Sequence, residues 1–81
     1  MWYVYIIKSK NGSLYTGITT DIHRRFKEHQ IKCSNPALEL LYREPFSDKF
    51  QAAGRERQIK GWARKKKLAL IKGDLDLLKK L

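Results

Sequence analysis

Five side chains in this sequence are of types that could work together on a phosphate: Tyr5, Tyr15, Arg25, His29 and Glu56. A phenol can hold or deprotonate an attacking water when nearby cations or a metal ease loss of its proton, although an ordinary pKa of about 10 makes it a poor base alone. A planar guanidinium matches two phosphate oxygens and can stabilise the charge that develops in phosphoryl transfer. His29, four residues after Arg25, could orient a tyrosine through a hydrogen bond. Glu56 could anchor a hard divalent cation such as magnesium, which uses one or two carboxylates, keeps several waters and takes substrate oxygens for the rest. Each residue also has a plainer reading. The tyrosines could be sheet aromatics packing a core, Arg25 a surface arginine lying along its helix, and Glu56 a salt-bridge partner of Arg25 or Lys60.

The elements that must position these groups follow from pattern. Residues 2–9 are rich in Trp, Tyr, Val and Ile, and residues 14–19 in Leu, Tyr, Ile and Thr. Around Lys10-Asn11-Gly12-Ser13 they predict a β-hairpin. Its register is a fork. A two-residue type I′ turn at Asn11-Gly12, which the Asn-Gly pair slightly favours, sets Lys8 opposite Tyr15 and sends Tyr5 and Tyr15 to opposite faces. A type I turn at Lys10-Asn11 with Gly12 in a left-handed bulge sets Ile7 opposite Tyr15 and Tyr5 opposite Gly17, so the tyrosines share a face. Joint chemistry requires the second.

Thr20 or Asp21 can cap a helix running to about Gln30. With Ile22 at zero on a helical wheel, Phe26 falls at about 40°, His29 near 340° and Arg25 near 300°, while Arg24 points to about 200°. Arg25 and His29 therefore edge the apolar stripe, and Arg24 and His23 face solvent. Residues 31–37 read as a loop, and LELLYREPF as a short, partly central third strand ending before Pro45. Ser47 or Asp48 can cap a second helix reaching about Trp62, with Gly54 an internal weak point. On it Ala52, Ala53, Ile59 and Ala63 share one face, and Glu56 falls within their arc, where a carboxylate must be paired or bound to a cation. Gly61-Trp62 marks a stop or kink, a third helix occupies about 64–72, and Asp74 can cap a last turn carrying Leu75, Leu77, Leu78 and Leu81.

Eighty-one residues bound one small domain with a thin core, and 42% hydrophobic content predicts that it is ordered. Eighteen Lys and Arg against eight Asp and Glu leave a net charge of +10, which points to a polyanion and first of all to nucleic acid. The basic tract Arg55, Arg57, Lys60, Arg64, Lys65, Lys66 and Lys67, with Trp62 amid it and Arg24 on the first helix, is suited to tracking a nucleic-acid backbone; it could also be a solvated face. The lone Cys33 forms neither an intrachain disulfide nor a zinc site, which fits a reducing cytoplasm. The apolar stretch in MWYVYIIKSK is too short for a membrane span and lacks the features of a signal peptide, and no segment reads as a basic amphipathic anchor.

Taken together, YVY at 3–5, YTG at 15–17, Arg25, His29 and the later Glu56 resemble the GIY-YIG endonuclease superfamily. The wider pattern YTGITTDIHRRFKEH and RERQIKGWARKKKLALI covers most of residues 2–72. It is most similar to the small single-domain bacterial branch, UPF0213-like and related to the N-terminal nuclease domain found in bacterial excinuclease. The resemblance implies an α+β fold, a small three-stranded antiparallel sheet flanked by helices, as a single domain over 1–81 with its core at about 2–72 and a helical tail at 73–81. It implies Mg²⁺- or Mn²⁺-dependent hydrolysis of DNA phosphodiester bonds, with structure selectivity and a role in DNA repair. Tyr5 would be the general base or water-positioning group, Tyr15 and His29 its hydrogen-bonding neighbours, Arg25 the phosphate clamp and Glu56 the metal ligand. The alternative is a catalytically weak module binding DNA or RNA beside a partner protein that supplies specificity. Segment 31–37 is shorter than expected for the branch and lacks the basic, tyrosine-bearing loop often found there, a departure that bears on substrate grip more than on chemistry. Separately, no Asn follows Glu56 as in several relatives, leaving Lys60 as a candidate second polar group.

Overall fold

Val4, Tyr5, Ile6 and Ile7 are buried in succession, which a strand achieves only when both its faces are covered. The computed structural model, which describes residues 1–32, 36–74 and 79, shows how. The elements are β1 (Trp2–Ser9), β2 (Leu14–Thr19), α1 (Ile22–Lys32), β3 (Ala37–Phe46), α2 (Lys49–Lys60) and α3 (Arg64–Lys72). The strands form one antiparallel sheet in the order β2-β1-β3, with β1 central. Val4 and Ile6 point to one face and pack with Ala52 and Ile59 of α2 and Leu70 of α3. Tyr5 and Ile7 point to the other and pack with Ala37 and Leu40 of β3 and Phe26 of α1. The result is an α+β arrangement with the sheet between α1 and the α2–α3 pair, and each fully buried Val or Ile contributes about 1.5–3 kcal/mol.

The hairpin takes the bulged register. Tyr5 pairs with Gly17 and Ile7 with Tyr15. The Gly12 N–H donates to the Ser9 carbonyl at 2.8 Å, closing a turn centred on Lys10 and Asn11, and Gly12 itself has φ +88°. The two-residue turn that Asn11-Gly12 favours is thus displaced. Locally, the Asn11 side-chain oxygen accepts from the Ser13 N–H at 3.0 Å, holding Asn11 in the type I turn and leaving the left-handed position to Gly12.

The third strand departs from expectation in length and position. It is ten residues long, lies at the sheet edge, and includes Pro45, which sits opposite Tyr3. An edge strand tolerates a residue without an N–H on its outward side. Its register against β1 shifts between Ile6 and Ile7 and again between Lys8 and Ser9, irregularities that blunt a free edge.

Helix ends follow local chemistry. The Asp21 carboxylate accepts from the Arg24 N–H at 3.1 Å and caps α1, which runs two residues past Gln30. The Asp48 carboxylate accepts from the Gln51 N–H at 2.9 Å and caps α2. That helix stops at Lys60, before Trp62, so Ala63 lies beyond it and is exposed instead of sharing its buried face. Helix α3 ends on Gly73 with φ +74°. The last turn expected after Asp74 and the single Cys33 lie outside the described residues. Among the described residues no helix is long and apolar enough to cross a membrane.

Candidate active site

Four of the five candidate residues meet on the α1 face of the sheet. Tyr5 comes from central β1 and Tyr15 from β2, side by side because the bulged register sends both to one face. Arg25 and His29 come from successive turns of α1, whose Phe26 packs against the Tyr5 cluster. The Tyr5 hydroxyl lies 3.4 Å from Arg25 Nε, which donates to it, and 3.2 Å from His29 Nε2. The Tyr15 and His29 rings are 4.7 Å apart between centroids, and the two tyrosine rings 6.2 Å. Tyr5 is 2% exposed and forms the floor, whereas Tyr15 at 39% forms a rim open to solvent.

Gly17 makes this packing physically feasible. A Cβ there would stand 2.6 Å from the Tyr5 hydroxyl oxygen, 2.8 Å from its Cζ and 3.1 Å from Tyr15 Cε1. The two phenol rings occupy the space a side chain would fill. Sequence reasoning gave Gly17 no role of its own, although a glycine inside a strand is the usual sign of a close approach.

The protonation states follow from burial and charge. Burial is the main cause that pushes the Tyr5 phenol above its ordinary value; Tyr15 and the Glu56 carboxylate push the same way, and Arg25 opposes them. Tyr5 is therefore a neutral phenol near neutral pH. His29 is held below its ordinary value, first by burial and then by the Arg25 charge, so its ring is neutral and Nε2 can accept. With Arg25 Nε–H donating to the Tyr5 oxygen, the phenol proton is left to point at His29 Nε2. Arg25 stays fully protonated, favoured first by its bond to Tyr5.

Glu28, which the sequence reading did not single out, sets the guanidinium. Its carboxylate accepts from Arg25 Nη1 at 3.0 Å and approaches Arg24 Nε to 3.6 Å. The spacings of three and four residues that bring these groups together are visible in the sequence. Arg24 itself is 71% exposed, as the wheel predicts.

Glu56 projects from α2, its side chain 21% exposed, with Lys60 Nζ 3.4 Å from Oε1. It is less enclosed than its place in the apolar arc suggests, and its ion-pair partner is Lys60. Its charge is nonetheless felt at the Tyr5 hydroxyl. Among the described residues no three His, Cys, Asp or Glu side chains converge, so they form no closed protein cage. A single half-buried carboxylate within electrostatic reach of a phenol oxygen suits a hard cation that keeps waters and takes substrate oxygens.

The basic tract divides. Arg57, Arg64 and Lys65 are exposed, Lys60 is paired with Glu56, and Lys67 is half-buried. Arg64 Nη1 donates to the Gly12 carbonyl at 2.8 Å, tying α3 to the hairpin turn. Arg55 is held by several contacts: its Nε lies 3.6 Å from Glu44 Oε2, its Nη1 donates to Gln58 Oε1 at 2.8 Å, and its Cζ lies 5.2 Å from the centre of the Trp62 ring. Tyr42 donates to the same Glu44 carboxylate, and burial first, then that bond, raises the Tyr42 phenol to about 12.

Residues 1–69 of the chain that carries this paired-tyrosine face and its Arg/His helix match the model of the GIY-YIG catalytic domain. The chain belongs to the GIY-YIG family. It is similar to a UPF0213 protein of Staphylococcus saprophyticus, 43% identical over 76 residues covering 85% of this chain and 92% of that protein. A UPF0213 protein of Desulfotalea psychrophila is 40% identical over 78 residues, covering 88% of this chain and 71% of the relative. The solution NMR structure of a UPF0213 protein from Bacillus halodurans has the same fold, with a TM-score of 0.61 and 36% identity over 89% of this chain and 84% of that one.

Proposed function

We propose that this protein is a divalent-metal-dependent endonuclease of the cytoplasm that hydrolyses DNA phosphodiester bonds, with residues 2–72 as its nuclease core. The observation that carries the reading is the convergence of Arg25 Nε and His29 Nε2 on the Tyr5 hydroxyl, 3.4 and 3.2 Å away, in a member of a nuclease family.

In this mechanism the neutral Tyr5 phenol positions the attacking water. The water oxygen forms the new bond to phosphorus as its proton passes to the Tyr5 oxygen, and the phenol proton moves on to His29 Nε2. The opposite P–O bond breaks in line, and the leaving oxygen takes its proton from solvent. Arg25, with Glu28 fixing one guanidinium nitrogen, presents positive charge to the phosphate oxygens as charge builds. Tyr15 and His29 fill the space beside Tyr5 and fix its angle of presentation. Glu56 would hold Mg²⁺ or Mn²⁺, which when bound supplies Lewis-acid stabilisation of the phosphate and its leaving oxygen. Arg24, Arg57, Arg64, Lys65 and Lys67 supply the backbone attraction that a +10 protein offers to DNA.

The test is a cleavage screen of the purified protein over branched, nicked, single-stranded and duplex DNA with Mg²⁺ and with Mn²⁺, beside Arg25→Ala and Glu56→Ala. Cutting that Glu56→Ala abolishes and Arg25→Ala slows by about 10²–10³-fold supports the reading. Binding without cutting in every condition overturns it in favour of a module that has kept the fold and lost turnover.

A further inference from the structure

At the elbow between α2 and α3 lies a cavity of about 380 Å³, lined by Gly61, Trp62, Ala63, Lys65 and Lys66. Its wall is an indole held in place from outside the elbow. Tyr42 donates to Glu44 of β3, the Glu44 carboxylate pairs with Arg55 Nε at 3.6 Å, and the Arg55 guanidinium carbon lies 5.2 Å from the Trp62 ring centre. Lys66 places its ammonium 4.5 Å from the same ring, and Lys65 is exposed at the rim. Part of Trp62 packs against the core formed by Val4, Ile6 and Ile59, which anchors the side chain while the cavity borders it.

The chemistry of the lining selects the occupant. An indole favours a planar aromatic ring, and two lysines without an acidic neighbour in the lining favour an anion joined to it. A nucleobase with its phosphate has both. Bases inside a duplex are stacked and paired, so the ring that enters must be unpaired. We propose that the α2–α3 elbow is a base-stacking pocket for an unpaired nucleotide of a DNA strand, so that the protein engages DNA carrying a single-stranded segment. This rests on the DNA reading above and adds the substrate class to it. Lys66 is placed to exchange the ring for the phosphate of the stacked nucleotide, since its ammonium is a mobile point charge. The bond from Arg64, next to the pocket, to the Gly12 carbonyl joins the elbow to the hairpin that carries Tyr5 and Tyr15. A strand gripped at Trp62 is thereby held at a fixed reach from the tyrosines.

The experiment measures affinity for a labelled oligothymidylate and for a blunt duplex of equal length, in chelator at one fixed salt concentration, for the wild type, Trp62→Phe and Trp62→Ala. Trp62→Ala is expected to weaken single-strand binding about ten-fold or more and to change duplex binding by less than about two-fold, with Trp62→Phe close to wild type. In a Trp2→Phe background, where Trp62 is the sole tryptophan, oligothymidylate should quench the indole fluorescence and the blunt duplex should not. This second measurement leaves Trp62 intact and decides the matter even if Trp62→Ala fails to fold. Equal weakening of both ligands, no weakening of either, or no quench overturns the pocket while leaving the DNA reading in place. A wild type that binds neither ligand overturns both.

Discussion

Replacing Gly17 by alanine adds one methyl group at the centre of the proposed site. That carbon would stand 2.6 Å from the Tyr5 oxygen and 2.8 Å from its Cζ, whereas non-bonded heavy atoms settle at about 3.5–4.0 Å. The phenol must therefore retreat by about 1 Å, or β2 must move away from β1. The Tyr5 ring is 2% exposed and packed among Ile7, Ala37 and Phe26, so retreat is opposed on every side. An overpacked core costs about 1–3 kcal/mol, a tolerable loss for folding. The hydroxyl fares worse: contacts of 3.2 and 3.4 Å to His29 and Arg25 do not survive displacement by such a distance. A misplacement of about 1 Å can cost a hundred-fold in rate. Gly17→Ala is thus expected to remain folded with a lowered Tm, to bind DNA, and to cut about a hundred-fold more slowly. Thermal unfolding and single-turnover cleavage measure the two effects separately. A variant that cuts at the wild-type rate would refute the placement of the Tyr5 hydroxyl at the reacting centre.

Other consequences can be checked independently. Arg25→Ala should lower the cleavage rate by about 10²–10³-fold, the loss typical of one charge-stabilising donor, in a single-turnover assay. Glu56→Gln should abolish metal-supported cutting while leaving DNA affinity and Tm nearly unchanged, because a partly exposed pair such as Lys60–Glu56 is worth under about 1 kcal/mol; retained cutting in metal titrations would remove Glu56 from the site. His29, with its folded value below its unfolded one, binds a proton less readily when folded, so its contribution to stability is present above about pH 6.5 and declines as pH falls below it. Cleavage should decline over the same descent, as Nε2 ceases to accept, and NMR titration of the ring gives the midpoint. Gly12→Ala places a side chain at φ +88° and should destabilise the fold by about 1–2 kcal/mol, read from denaturant unfolding.

Much of the frame was legible in the sequence because the signals are local. The hairpin strands begin and end where the aromatic and β-branched runs do, and the spacing of Ile22, Phe26, Arg25 and His29 on a 100° wheel puts the two functional groups beside the apolar stripe, where both are half-buried. The hairpin register was not legible, since Asn11-Gly12 satisfies two turns and a strand buried on both faces offers no polar side to choose between them. The length of β3 was masked by Pro45, which breaks a central strand but not an edge. The anchoring of Arg55 by Glu44 joins residues on different elements, and periodicity within one helix cannot report it. Gly17 carried a readable sign, a glycine within a strand, but its reason lies in the Tyr5 ring across the pair.

The most direct measurement is the single-turnover rate of DNA cleavage by Tyr5→Phe against the wild type at saturating Mg²⁺ or Mn²⁺. The substitution removes one oxygen and keeps the ring that fills the core, so folding and binding provide their own controls. The expected result is a rate lowered by about a hundred-fold or more with unchanged DNA affinity and Tm. Cutting by Tyr5→Phe at the wild-type rate would contradict the account, because the atom on which Arg25 and His29 converge would then have no part in the reaction.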